Sequence, residues 1–123
     1  MIEIEIQGGD EPTLRRAAEV ALAAADVGDG HLAIGFVGED EIRSLNLAHR
    51  GKDEPTDVLS FPVDGTGPVS GPRELGDVVI CPEQTEDIVE AVVHGVLHLC
   101  GYDHESDGGE MLALQERVLS ELT

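Results

Sequence analysis

Ile2, Ile4 and Ile6 alternate with Glu3 and Glu5, the period of a strand with one wet face. Asp10 or Glu11 then caps a helix with Pro12 in its first turn. Leu14, Ala17, Ala18, Ala21, Leu22 and Ala25 mark one face of that helix, and Gly28 and Gly30 break it. His31 to Val37 reads as a second, more buried strand. Glu39 to about His49 is a short helix with Ile42 and Leu45 inward. A polar turn, Arg50-Gly51-Lys52-Asp53-Glu54-Pro55, leads into a third strand from Asp57 to Val63, where Pro62 marks an edge or a stop. The Gly- and Pro-rich stretch from Asp64 to Arg73 is a loop, and Leu75 to Cys81 is a fourth strand. Glu83 to Cys100 reads as a helix, apolar nearly all round from Ile88 to Leu99, and therefore the buried central one. Gly101 stops it. Asp107 with Glu110 three residues on resembles a capping box, and Met111, Leu114, Val118, Leu119 and Leu122 give the last helix its inner face.

The order βαβαββαα implies one small sheet with helices packed on it, an α/β or α+β fold. A chain of 123 residues, 41% of them hydrophobic, fits a single domain over 1–123. No apolar run approaches the ~20 residues of a membrane helix. Met1-Ile2-Glu3-Ile4-Glu5 lacks the basic start and apolar block of a signal peptide, so a cytoplasmic protein is expected. Two cysteines, Cys81 and Cys100, make no disulfide framework and suit a reducing compartment.

Charge changes this picture. Twenty-six acids face seven bases, with Lys52 the single lysine, for a formal charge of -19. Such a surface repels nucleic acid at long range and forbids a purely electrostatic mode of RNA or DNA binding. On charge alone, a solubilising surface is a better reading than a cation-binding one.

The chemistry lies near the end of the central helix. Three of the five histidines fall in His94-Gly-Val-Leu-His98-Leu-Cys-Gly101-Tyr-Asp-His104. His94 and His98 stand four apart on a helix, on one face and about 6 Å apart along the axis, a spacing at which two imidazoles grip one metal. Gly101 accepts φ > 0 and turns the chain back, so that His104 can return to the same ion. Three ligands leave an open position for water or substrate, the catalytic pattern rather than the closed structural one. One core histidine on an apolar helix is commonplace; a pair at i, i+4 followed by a glycine break and a third is not. The spacing H-x-x-x-H-x-x-G-x-x-H is that of the metzincin proteases, but Gly95 stands where they carry their general-base glutamate.

The same eleven residues resemble the signature of the YbeY endoribonucleases, the bacterial rRNA maturation factors, in which Gly also follows the first His. Two further stretches agree in kind and order: Arg50-Gly-Lys-Asp-Glu-Pro-Thr-Asp-Val-Leu-Ser-Phe-Pro62 and Leu75-Gly-Asp-Val-Val-Ile-Cys81. The resemblance spans residues 50–104. It implies an α+β fold with a small mixed β-sheet of about four strands packed by helices, zincin-like around the metal helix. It also implies a metal-dependent endoribonuclease acting on single-stranded RNA, in rRNA processing and ribosome quality control, with rRNA and the small ribosomal subunit as partners. By the same resemblance His94, His98 and His104 bind one zinc ion, His94 and Arg50 belong to the catalytic set, and Arg50 is the basic residue of the cleft. Only Pro82 to about Asp87 separates the fourth strand from the metal helix, where the family usually carries another helix and a linker.

Arg50 suits a phosphate ligand, because a guanidinium binds oxyanions in a fixed bidentate geometry; Lys52, with a flexible head, suits the rim. Asp77 and Asp103 are each either orienters of the ligand histidines or ordinary strand-end and turn residues. Ser60 reads as a strand serine bonded to backbone, Cys100 as a small hydrophobe, and Tyr102 as packing over the metal turn. His31 and His49 have no partners in sequence. Two alternatives stand beside this reading: a metal hydrolase of peptides or small phosphoesters, and, within what the resemblance implies, a non-catalytic ribosome-assembly module in which the metal holds the last two helices together.

Overall fold

The computed structural model describes residues 2–64, 68 and 70–123. Part of the expected 64–73 loop, residues 65–67 and 69, lies outside that range, as does Met1. Four strands, β1 (Ile2–Gln7), β2 (Gly30–Phe36), β3 (Val58–Pro62) and β4 (Glu74–Ile80), form one sheet in the order β1-β2-β4-β3. β1 and β4 run parallel to β2, and β3 pairs antiparallel with β4, so the sheet is mixed and β3 is an edge. Pro62 sits in that edge strand, where its missing N–H costs no ladder bond. The four α-helices are α1 (Glu11–Ala24), α2 (Glu39–Arg50), α3 (Ile88–Leu99) and α4 (Glu110–Leu122). The fold is the expected α+β arrangement.

α1 and α3 pack on one face of the sheet, α3 against β3 and β4 and α1 against β1, and α4 packs on both helices. Ala91, Val92, Val93, Val96, Leu97 and Leu99 of α3 are all buried in the main core, with Leu32, Ile34, Val78 and Ile80 from the strands beneath. Each such Val or Leu contributes about 1.5–3 kcal/mol relative to an exposed position. Leu59 points away from α3, because its neighbour Ser60 faces α3 and strand side chains alternate. It packs with Ile42 of α2 and Cys81 in a second, smaller cluster on the opposite face.

The expected helix over 83–100 is not continuous. Pro82–Gln84 makes one 3-10 turn, Thr85 is extended, and α3 starts at Ile88. The interruption has local causes. Thr85 Oγ1 donates to the Cys81 carbonyl at 2.7 Å. The Asp87 side chain accepts from Glu90 N at 3.1 Å, a helix N-cap. α1 also ends before its glycines: Ala25 is the C-cap and Asp26 takes φ 61, a left-handed conformation that Asp tolerates. Before α4, Asp107 accepts from Gly109 N and Met111 N, while Glu110 reaches back to Gly108 N rather than to Asp107 N. That differs from a reciprocal capping box by one residue, and Gly109, at φ 105, becomes the N-cap.

On the face of the sheet away from α3, His31 of β2 lies between two carboxylates. Its Nδ1 is 2.5 Å from Glu74 Oε2 and its Nε2 3.1 Å from Glu5 Oε1, so the contact crosses three strands.

Candidate metal centre

The end of α3 closes with a double turn. Gly101, at φ 97, donates to His98 O, and Tyr102 N donates to Leu97 O, the pairing of a Schellman motif. The chain after it folds on itself. Asp103 accepts from Glu105 N and from Ser106 Oγ through its carboxylate, and from Ser106 N and Asp107 N through its carbonyl. The Glu105 N–H, with Ser106, holds the Asp103 carboxyl below the usual range. Asp103 is thus the turn residue that sets His104 in place.

His94, His98 and His104 converge. One nitrogen from each lies within 4.8 Å of the others, and they are the one such group of potential ligands among the described residues. Ring centroids are 4.7 Å apart for His94–His98, 5.0 Å for His94–His104 and 5.3 Å for His98–His104. His98 Nδ1 lies 2.9 Å from the Tyr102 carbonyl, which only accepts, so Nδ1 carries the proton. His94 Nδ1 lies 2.8 Å from Gln115 Oε1. Both Nε2 atoms then present lone pairs, and they face each other at 3.1 Å. Two lone pairs at that distance repel unless a cation sits with them. Protonating His98 instead is disfavoured: burial lowers its pKa first, and His94 and His104 lower it further. His104 Nδ1 is buried with no hydrogen-bond partner. Three convergent imidazoles of this kind suit a borderline-soft divalent cation.

Gly95 shows why no glutamate follows the first ligand. A Cβ there would stand 2.6 Å from Val78 Cγ1 and 3.2 Å from Ser60 Oγ. The position faces β3 and β4, not solvent, and its carbonyl accepts from Ser60 Oγ at 2.9 Å. Ser60 is therefore bonded to backbone, as its position on a strand suggested.

The histidines open on a cleft of about 590 Å³, with Thr56 to Ser60 along one wall and Tyr102 to Glu105 on the other. Arg50, the last residue of α2, lines the same cleft, its Nη2 3.6 Å from Glu105 Oε1. The segment after it is anchored: Arg43 binds Asp53 through two nitrogens, and buried Asn46 donates to the Glu54 carbonyl at 2.9 Å. Lys52 is exposed and does not line the cleft. Asp77 points to the face away from α3, in a hollow with Gln7, Leu45 and Phe61, so it does not orient the ligands. Cys100 is buried in the main core, which pushes its thiol up to about 11 and keeps it inert.

The residues that sequence reasoning missed are Gln115, His49 and Glu105. Gln115 was marked by being a polar residue on the inner face of α4, between Met111 and Val118. His49, whose ring lies 4.6 Å from that of Phe61, and Glu105 line the cleft through the packing of α2 against the metal loop. No local pattern marks them.

A family model described as endoribonuclease YbeY matches residues 10–123. The endoribonuclease YbeY of Nitrobacter hamburgensis is 40% identical over 136 aligned residues, covering 94% of this chain and 72% of that protein. That of Rubrobacter xylanophilus is 43% identical, covering 94% and 89%. The solution structure of TM1509 from Thermotoga maritima matches at a TM-score of 0.59 with 32% identity, over 99% of this chain and 89% of that one.

Proposed function

Because the chain belongs to the endoribonuclease YbeY family, we propose that it is a zinc-dependent endoribonuclease cleaving single-stranded RNA in rRNA maturation and ribosome quality control. Its 123 residues act as one catalytic domain, in the cytoplasm, on rRNA presented by the small ribosomal subunit. The observation that carries the reading is the convergence of three imidazoles beside an arginine in a single cleft.

His94, His98 and His104 would hold the ion. Bound there, zinc supplies Lewis-acid polarisation of the phosphodiester and activation of water. Arg50 holds a planar cation at the wall of the cleft, where it binds the scissile phosphate and offsets the charge that grows on the phosphoryl oxygens. Lys52, outside the lining, attracts the flanking backbone at the rim. Gly95 leaves no space for the carboxylate base of a peptidase, which disfavours peptide hydrolysis by that route. The acidic surface confines RNA attraction to this small region, so binding is local and not a property of the whole face.

The test is metal analysis of the purified protein together with cleavage of a single-stranded RNA by wild type, His98→Ala and Arg50→Ala. His98→Ala should lose metal and activity together. Arg50→Ala should keep its metal and lose about 10²–10³ in rate, the usual effect of removing one donor to a developing oxyanion. Metal-free wild type that cleaves RNA at full rate would refute the metal role, and an Arg50→Ala enzyme as fast as wild type would refute the role of Arg50. The nucleophile is either water or the ribose 2′-hydroxyl, and product ends separate the two, since the 2′-hydroxyl leaves a cyclic phosphate and water does not.

A further inference from the structure

The two histidines of α3 are oriented in different ways. His98 is held by a backbone carbonyl, that of Tyr102, which no substitution removes. His94 is held by a side chain from another helix, 21 residues away in sequence. That side chain, Gln115, is only 9% exposed and lies on α4 with buried Met111 and Val118. Burying an amide costs free energy unless it is hydrogen-bonded, so a purely structural position here would favour Leu or Met. Its Oε1 instead lies 2.8 Å from His94 Nδ1.

We infer that Gln115 is a positioning residue of the metal centre, holding His94 as the Nδ1–H tautomer so that the Nε2 lone pair faces the ion. The inference rests on the metal-centre reading above. A neutral imidazole carries one proton, and the group opposite Nδ1 decides which nitrogen has it. An acceptor there places the proton on Nδ1 and frees Nε2, which is the atom that faces His98 Nε2 at 3.1 Å. Without the acceptor, the ring is free to rotate or to take the other tautomer, and the pair of α3 ligands is no longer preset. Gln115 acts through His94 and touches neither substrate nor ion. Being uncharged, it orients the ring without adding a formal charge beside the three histidines, whereas a carboxylate at 115 would strengthen the same hydrogen bond.

Two variants and one measurement on wild type test this. Zinc affinity is measured by competition with a chromophoric chelator for wild type, Gln115→Leu and Gln115→Glu, with circular dichroism to check the fold. Gln115→Leu should bind zinc about 10–100-fold more weakly, the usual effect of removing an outer partner of a ligating histidine. Gln115→Glu, which keeps an acceptor, should bind at least as tightly as wild type. Long-range ¹H–¹⁵N spectra of metal-free wild type should show the His94 proton on Nδ1. A folded Gln115→Leu that binds like wild type, a Gln115→Glu as weak as the leucine variant, or a His94 proton on Nε2 would each overturn the inference. If Gln115→Leu fails to fold, the glutamate variant and the wild-type spectra decide. If wild type binds no zinc at all, the metal reading fails, and the His94 tautomer still decides the role of Gln115.

Discussion

Gly95→Ala adds one methyl group where α3 lies closest to the sheet. The new Cβ would stand 2.6 Å from Val78 Cγ1 and 3.1 Å from Val78 Cγ2, and 3.2 Å from Ser60 Oγ. Favourable carbon contacts lie near 3.5–4.0 Å, so the closest pair is short by roughly 1 Å. Val78 cannot simply turn away, because it is wholly buried in the main core. Overpacking of this kind typically costs about 1–3 kcal/mol. In a helix interior alanine regains about 0.8–1 kcal/mol over glycine. The net loss is therefore up to about 2 kcal/mol, read by urea denaturation of the metal-free protein. A double-mutant cycle with Val78→Ala isolates the clash: in that background the same Gly95→Ala should become neutral or stabilising, a coupling of about 1–3 kcal/mol. If Gly95→Ala is as stable as wild type and the cycle shows no coupling, the close approach of α3 to β4 is wrong. A longer side chain meets the same wall, so Gly95→Glu should not install a working base.

Glu105→Gln should free Arg50 for phosphate, tightening RNA binding a few-fold at low salt with the advantage lost at high salt, since exposed pairs are weak and screened; equal affinity in titrations at both salt levels would show that the pair does not compete. His31 has its pKa raised, first by the hydrogen bond to Glu74 and then by Glu5, against the opposing effect of burial. A raised folded pKa gives stability that is complete below the unfolded value of about 6.5 and is lost as pH rises through the folded pKa. The stability gap between wild type and His31→Gln should therefore shrink from pH 5.5 to pH 8.5 in denaturant titrations, and a gap that widens would refute the pairing. Twenty-six carboxylates on 123 residues repel one another, so the melting temperature should rise with potassium chloride; a fall by differential scanning fluorimetry would refute self-repulsion.

The features legible in the sequence are those set by neighbours along the chain. The i, i+4 spacing of His94 and His98 and the glycine that follows depend only on helix geometry, and the Schellman turn at Gly101 realises them. The apolar run from Ile88 to Leu99 likewise marks the buried helix. What was not legible depends on competition between local bonds or on packing at a distance. The start of α3 is decided by Thr85 and Asp87 side chains outbidding a helix that the hydropathy pattern would allow to begin earlier. Asp77 was ambiguous because strand parity near it is altered by a bulge, where the register between β2 and β4 shifts at His31/Leu32 and both Leu75 and Gly76 are buried. Gln115 meets His94 only because α4 packs on α3, and Glu105 meets Arg50 only because α2 ends where the metal loop begins.

The wall of the cleft formed by β3 has a property beyond its shape. Asp57 O accepts from Cys81 N and Val63 N donates to Leu75 O, so the odd-numbered residues of this strand bond inward to β4. Its even-numbered main-chain groups face the cleft. Of these, Val58 N–H is already taken by the Asp57 carboxylate at 2.8 Å, and Pro62 has none to give. Ser60 N–H is the outward donor that remains. An extended polypeptide adds to a sheet edge through a run of alternating donors and acceptors. This edge offers it mostly carbonyls, beside a carboxylate. The strand nearest the histidines is thus a poor template for a further strand and better matched to a ligand that carries its own hydrogen-bond donors.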